Sequence, residues 1–175
     1  GDEKARLEGL RDSILELTKA RLPWLVLALF GGFISVHVLG IFEPVMDLHP
    51  ELFFFTPLIA AMAGNVGVQS SAIIVQGLAN NTIIGPVVER LLKELSLSLL
   101  NGIILSAILL LGSYFLLGYE IHVGYTVSIA LLSVIIMASL IGTFIPIILN
   151  KYGVDPALAT GPFITTSNDI LGILT

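Results

Sequence analysis

Residues 123–149 read VGYTVSIALLSVIIMASLIGTFIPIIL and contain no charged side chain over 27 positions. The hydrocarbon core of a bilayer is about 30 Å thick, so a helix needs about 20 predominantly apolar residues to cross it. This stretch therefore predicts a transmembrane helix. Four other stretches meet the same criterion, and the predicted spans are residues 22–42, 52–79, 95–117, 123–149 and 156–175. We predict an all-α integral membrane fold with five transmembrane helices.

The composition of the chain agrees with a protein whose main partner is the lipid bilayer. Of its 175 residues, 55% are hydrophobic and 12% are charged, whereas a soluble domain carries about 25% charged residues. Cysteine is absent, so a metal site must use oxygen or imidazole ligands. The net charge of −5 argues against a nucleic-acid partner, because binding to phosphates depends on basic patches.

The basic residues all fall on one side of the predicted topology. They precede the first, third and fifth spans, at Lys4, Arg6, Arg11, Lys19, Arg21, Arg90, Lys93 and Lys151. By the positive-inside rule these segments are cytoplasmic. We therefore predict a multi-pass protein of the cell membrane (the inner or plasma membrane), with its N-terminus in the cytoplasm and its C-terminus outside.

The first 21 residues differ in character from the rest of the chain. Leu7, Leu10, Ile14 and Leu17 recur at helical spacing between charged positions, which predicts an amphipathic helix on the cytoplasmic face. An interfacial anchor and a connector to a cytoplasmic domain both explain such a helix. We therefore divide the chain into this helix, at residues 1–21, and a five-helix pore domain at residues 22–175. Since the chain starts without Met, we expect a piece of a longer protein.

A second charged segment precedes the third span. Glu89 and Lys93 are four residues apart, and so are Arg90 and Glu94. Such spacing is typical of ion pairs on the surface of a short helix, which Pro86 is expected to begin. We interpret these residues as solvated structure without a role in the site.

The last span carries the only carboxylate within the predicted spans. Asp155 and Pro156 are typical of a helix start, and they place Asp169 about 21 Å along the helix axis. No Lys or Arg lies within any predicted span, so a mobile cation is the natural counter-ion of Asp169. Thr165 and Thr166 share its helical face and offer the oxygen ligands that Mg²⁺ and Ca²⁺ prefer. The alternatives for Asp169 are a neutral carboxylic acid bonded to a neighbouring helix and a position nearer the outer interface. The alternative for the threonines is that their hydroxyls bond to their own helix.

The second span carries three amide side chains on one stripe. Asn65, Gln69 and Gln76 are spaced by four and seven residues. Amides in a membrane helix are not expected to face lipid. They either line an aqueous path or form hydrogen bonds with a neighbouring helix, and the sequence leaves both open.

Small residues indicate where helices approach closely. They recur every fourth position in the second span, at Ala63, Gly67 and Ser71. Ser139 and Thr143 make a similar pair in the fourth span. We interpret both sets as packing surfaces, because small side chains let helix backbones approach.

Two stretches resemble one family. Residues 57–79, PLIAAMAGNVGVQSSAIIVQGLA, and residues 155–172, DPALATGPFITTSNDILG, resemble the second and last membrane helices of the MgtE magnesium channels. The element GN-x-G-x-Q, which is Gly64, Asn65, Gly67 and Gln69, carries the likeness in the second helix. The sequence departs from some relatives at two positions. They have Asn where this chain has Val68, and a polar residue where it has Gly161.

The resemblance implies a homodimeric Mg²⁺ channel whose pore lies between the protomers. It implies a central metal site with the carboxylate of Asp169, the backbone carbonyl of Thr165 and the amide of Asn65. The other pore-lining residues are expected to be Gln69, Thr166, Gly64 and Gln76. We expect the Mg²⁺ to stay largely hydrated, and we expect Mn²⁺ and Ca²⁺ to compete with it.

The resemblance also implies partners and excludes some functions. Family members sense intracellular Mg²⁺ through cytoplasmic N-terminal and CBS domains, which this sequence lacks, so we expect the native protein to be longer or to lack that control. The family is not one of enzymes. An ion-coupled divalent-cation carrier remains an alternative to a channel, and an intramembrane aspartyl hydrolase, which needs a second carboxylate, is the more distant one.

Overall fold

The structure is a computed structural model that describes residues 2–83, 85–154, 170 and 173–174. Its helices are α1 (Asp2–Ile41), α2 (Glu43–Leu48), α3 (Pro50–Ala79), α4 (Val87–Phe115) and α5 (Ile121–Lys151). The described residues contain no strand, which confirms the all-helical prediction for them.

In the described part of the chain, four helices are long and apolar enough to cross a membrane. They are Ser13–Ile41 within α1, Pro50–Ala79, Val87–Phe115 and Ile121–Lys151. These correspond to the first four predicted spans. The predicted fifth span, residues 156–175, lies outside the described residues except for positions 170, 173 and 174.

The start of α4 differs from the prediction. We expected a short surface helix near Pro86 and a separate span from residue 95, but α4 runs without interruption from Val87 to Phe115. Pro86 does mark the boundary, since it has the extended backbone (φ −67, ψ 142) of a residue that precedes a helix. No Gly or Pro lies between Val87 and Asn101 to end the helix after the charged residues, so those residues form its first two turns.

The N-terminal segment is continuous with the first span. α1 extends from Asp2 to Ile41, and Pro23 lies inside it without ending it. The structure therefore does not confirm a separate interfacial helix at residues 1–21. The short helix α2 was not predicted, and a proline in its first turn favours its start.

α5 is the central helix of the described bundle, because it packs along both α3 and α4. The hydrophobic core lies mainly between α3 and α5 and comprises Phe55, Ile59, Ala63, Val127, Val134 and Ala138. The ring of Phe55 also meets the ring of Tyr119 edge to face, with centroids 5.4 Å apart.

The close contact predicted from small residues is confirmed where α3 crosses α5. The small residues Ala63, Gly67 and Ser71 are buried. A Cβ atom built on Gly142 of α5 would lie 2.5 Å from the carbonyl oxygen of Gly67, so the two backbones touch. Ser139 and Thr143 are also buried, and both hydroxyls donate to carbonyls of their own helix, as expected of packing residues.

A second small-residue surface, which the sequence analysis did not single out, lies on α4. Its buried residues are Ser98, Gly102, Ser106 and Ser113. A Cβ atom on Gly102 would lie 2.7 Å from the Cδ1 atom of Leu132, which places this surface against α5. α3 and α4 share no comparable contact with each other, so a space remains between them.

Candidate functional site

A polar cavity of about 470 Å³ lies between α3 and α4, with Ile135 and Ser139 of α5 in its wall. We call it the α3–α4 cavity. The polar residues that α3 and α4 contribute to its lining are Asn65, Gln69, Ser70, Arg90, Glu94, Ser98 and Asn101. Amide, hydroxyl and carboxylate groups therefore meet in one space within otherwise apolar helices.

The strongest polar contact of the cavity joins the two helices. The hydroxyl of Ser70 donates a hydrogen bond to Oε1 of Glu94 over 2.6 Å. This length lies within the normal range for a hydroxyl that donates to a carboxylate oxygen. Ser70 itself is 5% exposed, so the contact lies within the bundle and fixes the position of the Glu94 side chain.

The predicted surface ion pairs are wrong. Among the described residues, the side-chain contacts within ion-pair distance are His49 with Glu51 and His122 with Glu120, at 3.2 and 2.7 Å. Neither Arg90 with Glu94 nor Glu89 with Lys93 comes within the 4.0 Å that defines such a pair. Arg90 and Glu94 do not form a pair because the Glu94 side chain contacts Ser70 of the neighbouring helix rather than a residue of its own helix.

Arg90 also lines the cavity, one helical turn before Glu94. Its Nε atom is buried and has no hydrogen-bond partner within the described part of the chain. A buried donor without a partner is unfavourable, and in native structures such groups are rare. The cavity therefore holds one carboxylate and one guanidinium that do not neutralise each other directly.

The sequence also indicates the polar residues on the α4 side of the cavity, although the sequence analysis did not predict a site from them. Arg90, Glu94 and Asn101 are spaced by four and seven residues, as Asn65, Gln69 and Gln76 are on α3. Positions with this spacing share one face of a helix. Two polar stripes on consecutive helices indicate a common polar space, whereas each stripe alone also fits a solvated surface.

The structure places the predicted site residues as follows. Asn65 and Gln69 both line the α3–α4 cavity and are exposed. Gln76 is exposed on the same stripe but is not part of the cavity lining, and Gly64 beside the stripe is partly exposed. Asp169, Thr165 and Thr166 lie outside the described residues, so the structure does not test their roles.

Long apolar helices around an amide- and carboxylate-lined cavity define the class: a membrane protein with a polar space inside its helix bundle. The family model for the divalent cation transporter MgtE matches residues 56–175, which is more than half of the chain. The chain belongs to the MgtE family. This confirms the resemblance, and because the family is one of transporters, it confirms that the chain is not an enzyme.

Curated relatives carry the name "Magnesium transporter MgtE". The protein from Bacillus subtilis is 39% identical over 155 residues, which are 88% of this chain and 34% of the relative. The protein from Thermus thermophilus is 33% identical over 156 residues, 89% of this chain and 34% of the relative. The protein from Enterococcus faecalis is 32% identical over 171 residues, 96% of this chain and 37% of the relative. The chain thus spans about a third of the length of these relatives.

Proposed function

We propose that the chain transports Mg²⁺ across the cell membrane through a polar path shared by two copies of the chain. The observation that carries this proposal is the position of Asn65 and Gln69. Both amides are exposed in the middle of a 30-residue apolar helix, and both border the α3–α4 cavity. An amide that faces lipid without a partner loses several kcal/mol, so these two favour an aqueous path or a protein partner on that face.

The proposed central metal site consists of Asp169, Thr165 and Asn65. Its support is the sequence: a carboxylate well inside an apolar span, no basic residue within any span, and oxygen donors on the same helical face. The relatives named as magnesium transporters favour Mg²⁺ as the ion. Gln69, Thr166, Gly64 and Gln76 extend the pore lining in this proposal.

The proposed dimer gives the site enough charge for a divalent cation. One chain offers a single carboxylate, while two chains around an axis offer two. Mg²⁺ dehydrates reluctantly and is usually held by one or two carboxylates through several retained waters. An amide such as Asn65 suits a hydrated ion, because its NH₂ group donates hydrogen bonds to water and its carbonyl oxygen accepts them. Mn²⁺ and Ca²⁺ are expected to compete, since a wide hydrated site discriminates by size only modestly.

The proposed orientation follows from the basic residues. Arg90 and Lys93 in the first turns of α4, and Lys151 at the end of α5, all belong to one side of the described bundle, and that side is the cytoplasmic one by the positive-inside rule. Glu51 and Glu120 lie at the opposite ends of the helices. These acidic groups attract cations to the outer mouth.

The experiment compares Asp169→Ala and Asp169→Asn with the parent chain in liposomes loaded with a Mg²⁺-sensitive dye. Both variants are expected to lose Mg²⁺ uptake, because Ala removes the ligand and Asn removes its charge. Asp47→Asn is the matched control, since Asp47 is an exposed carboxylate on α2. Unchanged uptake in both Asp169 variants contradicts the central site. Cross-linking of two single-cysteine copies, possible because the chain has no native cysteine, tests the dimer.

A further inference from the structure

We propose that Glu94 binds a hydrated divalent cation at the cytoplasmic end of the α3–α4 cavity, with Ser70 as its positioning residue and Arg90 as the competing cation. This inference rests on the proposed function, because it adds a second cation site to the path of the transported ion. It goes beyond the central site, since Glu94 belongs to a different helix and was expected to be a surface residue.

The first argument is the charge of Glu94. Among the described residues, its carboxylate has no Lys, Arg or His partner within ion-pair distance, although it lines the cavity between α3 and α4. The hydroxyl of Ser70 occupies one position on Oε1. A carboxylate has about four acceptor positions, so most of its acceptor capacity remains for water or for a cation.

The second argument is the chemistry around it. Asn65 and Gln69 of α3 and Asn101 of α4 line the same cavity as Glu94. Carboxylate and amide oxygens are the ligands that hard divalent cations prefer, and Mg²⁺ needs only one carboxylate when it keeps most of its waters. The cavity is large enough for such an ion, because six waters occupy about 180 Å³ at the density of the liquid and the cavity measures about 470 Å³.

The third argument is the position of Glu94 along the helices. Glu94 lies seven residues after the first residue of α4, which is about 10 Å along the helix axis. Ser70 lies nine residues before the last residue of α3, at the same end of the bundle. Asn65 and Asn101 lie further from those helix ends. Glu94 thus stands between the cytoplasmic end of the bundle and the amides in its middle, where an ion leaving the central site would pass.

Arg90 supplies the opposing charge. It lies one turn nearer the cytoplasmic end, lines the same cavity, and its buried Nε atom has no partner. A positive charge near a carboxylate weakens the binding of another cation there. We therefore infer that Arg90 and the transported ion compete for Glu94, which keeps binding at this site weak enough for release.

The rival explanation is that Ser70 and Glu94 only hold α3 and α4 together. The two explanations differ in what they require of residue 94. A structural link requires a hydrogen-bond acceptor, which Gln also provides, whereas a cation site requires the negative charge. Glu94→Gln therefore separates them, and Ser70→Ala, which removes the link but keeps the charge, completes the comparison.

The experiment measures Mn²⁺ binding by electron paramagnetic resonance on the purified 175-residue chain in detergent. All variants carry Asp169→Ala so that the proposed central site does not contribute. Glu94→Gln is expected to weaken binding more than about tenfold, since even groups outside the ligand shell change metal affinity by about 10- to 100-fold. Arg90→Gln is expected to tighten it by about threefold or more. Ser70→Ala removes the group that positions Glu94 but keeps its charge, so it is expected to weaken binding by about tenfold or less, and by less than Glu94→Gln does.

The matched control is Glu89→Gln, which removes a carboxylate from an exposed position five residues before Glu94 and is expected to leave Mn²⁺ binding unchanged. Unchanged binding in Glu94→Gln overturns the inference. If Ser70→Ala binds Mn²⁺ more weakly than Glu94→Gln does, the result favours the structural link and also overturns the inference. Failure of the proposed function has a different signature: no Mg²⁺ uptake by the parent chain in liposomes, while the Glu94-dependent Mn²⁺ signal persists.

Discussion

The contacts of α5 and the α3–α4 cavity contain many of the same residue types, and Ser98 and Ser139 of the cavity lining donate to carbonyls of their own helices, but Ser70 does not. At the α5 contacts, Ser113 donates to the carbonyl of Leu110 and Thr143 donates to that of Ser139, so these two hydroxyls are satisfied within their own helices. The buried hydroxyls of Ser106 and Ser128 have no partner among the described residues. In the cavity, Ser70 donates across to a carboxylate on another helix. A hydroxyl bonded to its own helix leaves its surface free for packing, whereas one that reaches a neighbouring carboxylate organises a polar site.

The two regions also differ in how closely the backbones approach. At the α3–α5 crossing there is no room even for one additional carbon on Gly142. Between α3 and α4 a cavity of about 470 Å³ remains. Since α5 packs along both of the other helices, the tight contacts hold the walls of the cavity apart at a fixed distance. Substitutions in the two regions should therefore affect different properties, stability at the contacts and ion binding in the cavity.

The largest effect on stability is expected from Gly142→Ala. The added Cβ atom meets the backbone of Gly67 at 2.5 Å, and backbone moves less readily than a side chain. We expect a loss of about 2 kcal/mol or more in the free energy of unfolding, at the upper part of the range for overpacking. Denaturant titration in mixed micelles measures it.

Two glycines of α4 serve as graded controls for Gly142→Ala. At Gly102 the added atom meets only the Cδ1 end of the Leu132 side chain, at 2.7 Å, so Gly102→Ala should cost about 1 kcal/mol or less. At Gly112 nothing lies within 4 Å, and Gly112→Ala should be neutral or stabilise by up to about 1 kcal/mol through helix propensity. Equal losses at Gly142 and Gly112 would show that the α3–α5 contact is looser than described.

An intermediate effect on stability is expected from Ser70→Ala. It removes the hydrogen bond to Glu94 between two helices. Hydrogen bonds between membrane helices contribute about 0.6 kcal/mol on average and up to about 1.7, and a charged acceptor favours the upper half of that range, so we expect a loss of about 1 kcal/mol. The same titration measures it, with Ser96→Ala as control, because Ser96 is exposed and donates to its own helix.

The fold was predictable where a sequence pattern is compatible with a single structure. Charge-free runs longer than the bilayer is thick located the four described spans, and the spacing of Ala63, Gly67 and Ser71 located the contact with α5. The start of α4 was missed because its first turns carry charged residues, which the apolar criterion rejects. Pro86 marked that boundary correctly.

The site was less predictable, because four-residue spacing along one helix has two interpretations. Arg90 and Glu94 fit a surface ion pair as well as they fit a polar cavity. The choice depends on Ser70, which precedes Glu94 by 24 residues and meets it only through the packing of both helices on α5. The roles predicted for Asn65 and Asp169 remain predictions, although Asn65 and Gln69 do line one cavity.

The smallest effect is expected from Thr143→Val, and it provides the strictest test of the comparison. Thr143 is 0% exposed at an α5 contact, yet its hydroxyl donates to the carbonyl of Ser139 in its own helix. Val has nearly the same shape, and the Ser139 carbonyl keeps its backbone partner in the helix. We therefore expect a change within about 0.5 kcal/mol in the free energy of unfolding, and no change in Mn²⁺ binding. A loss as large as that of Ser70→Ala would mean that hydroxyls bonded within a helix contribute as much as those between helices. The hydrogen bond from Ser70 to Glu94 would then have no greater effect on stability than a hydroxyl bonded within its own helix.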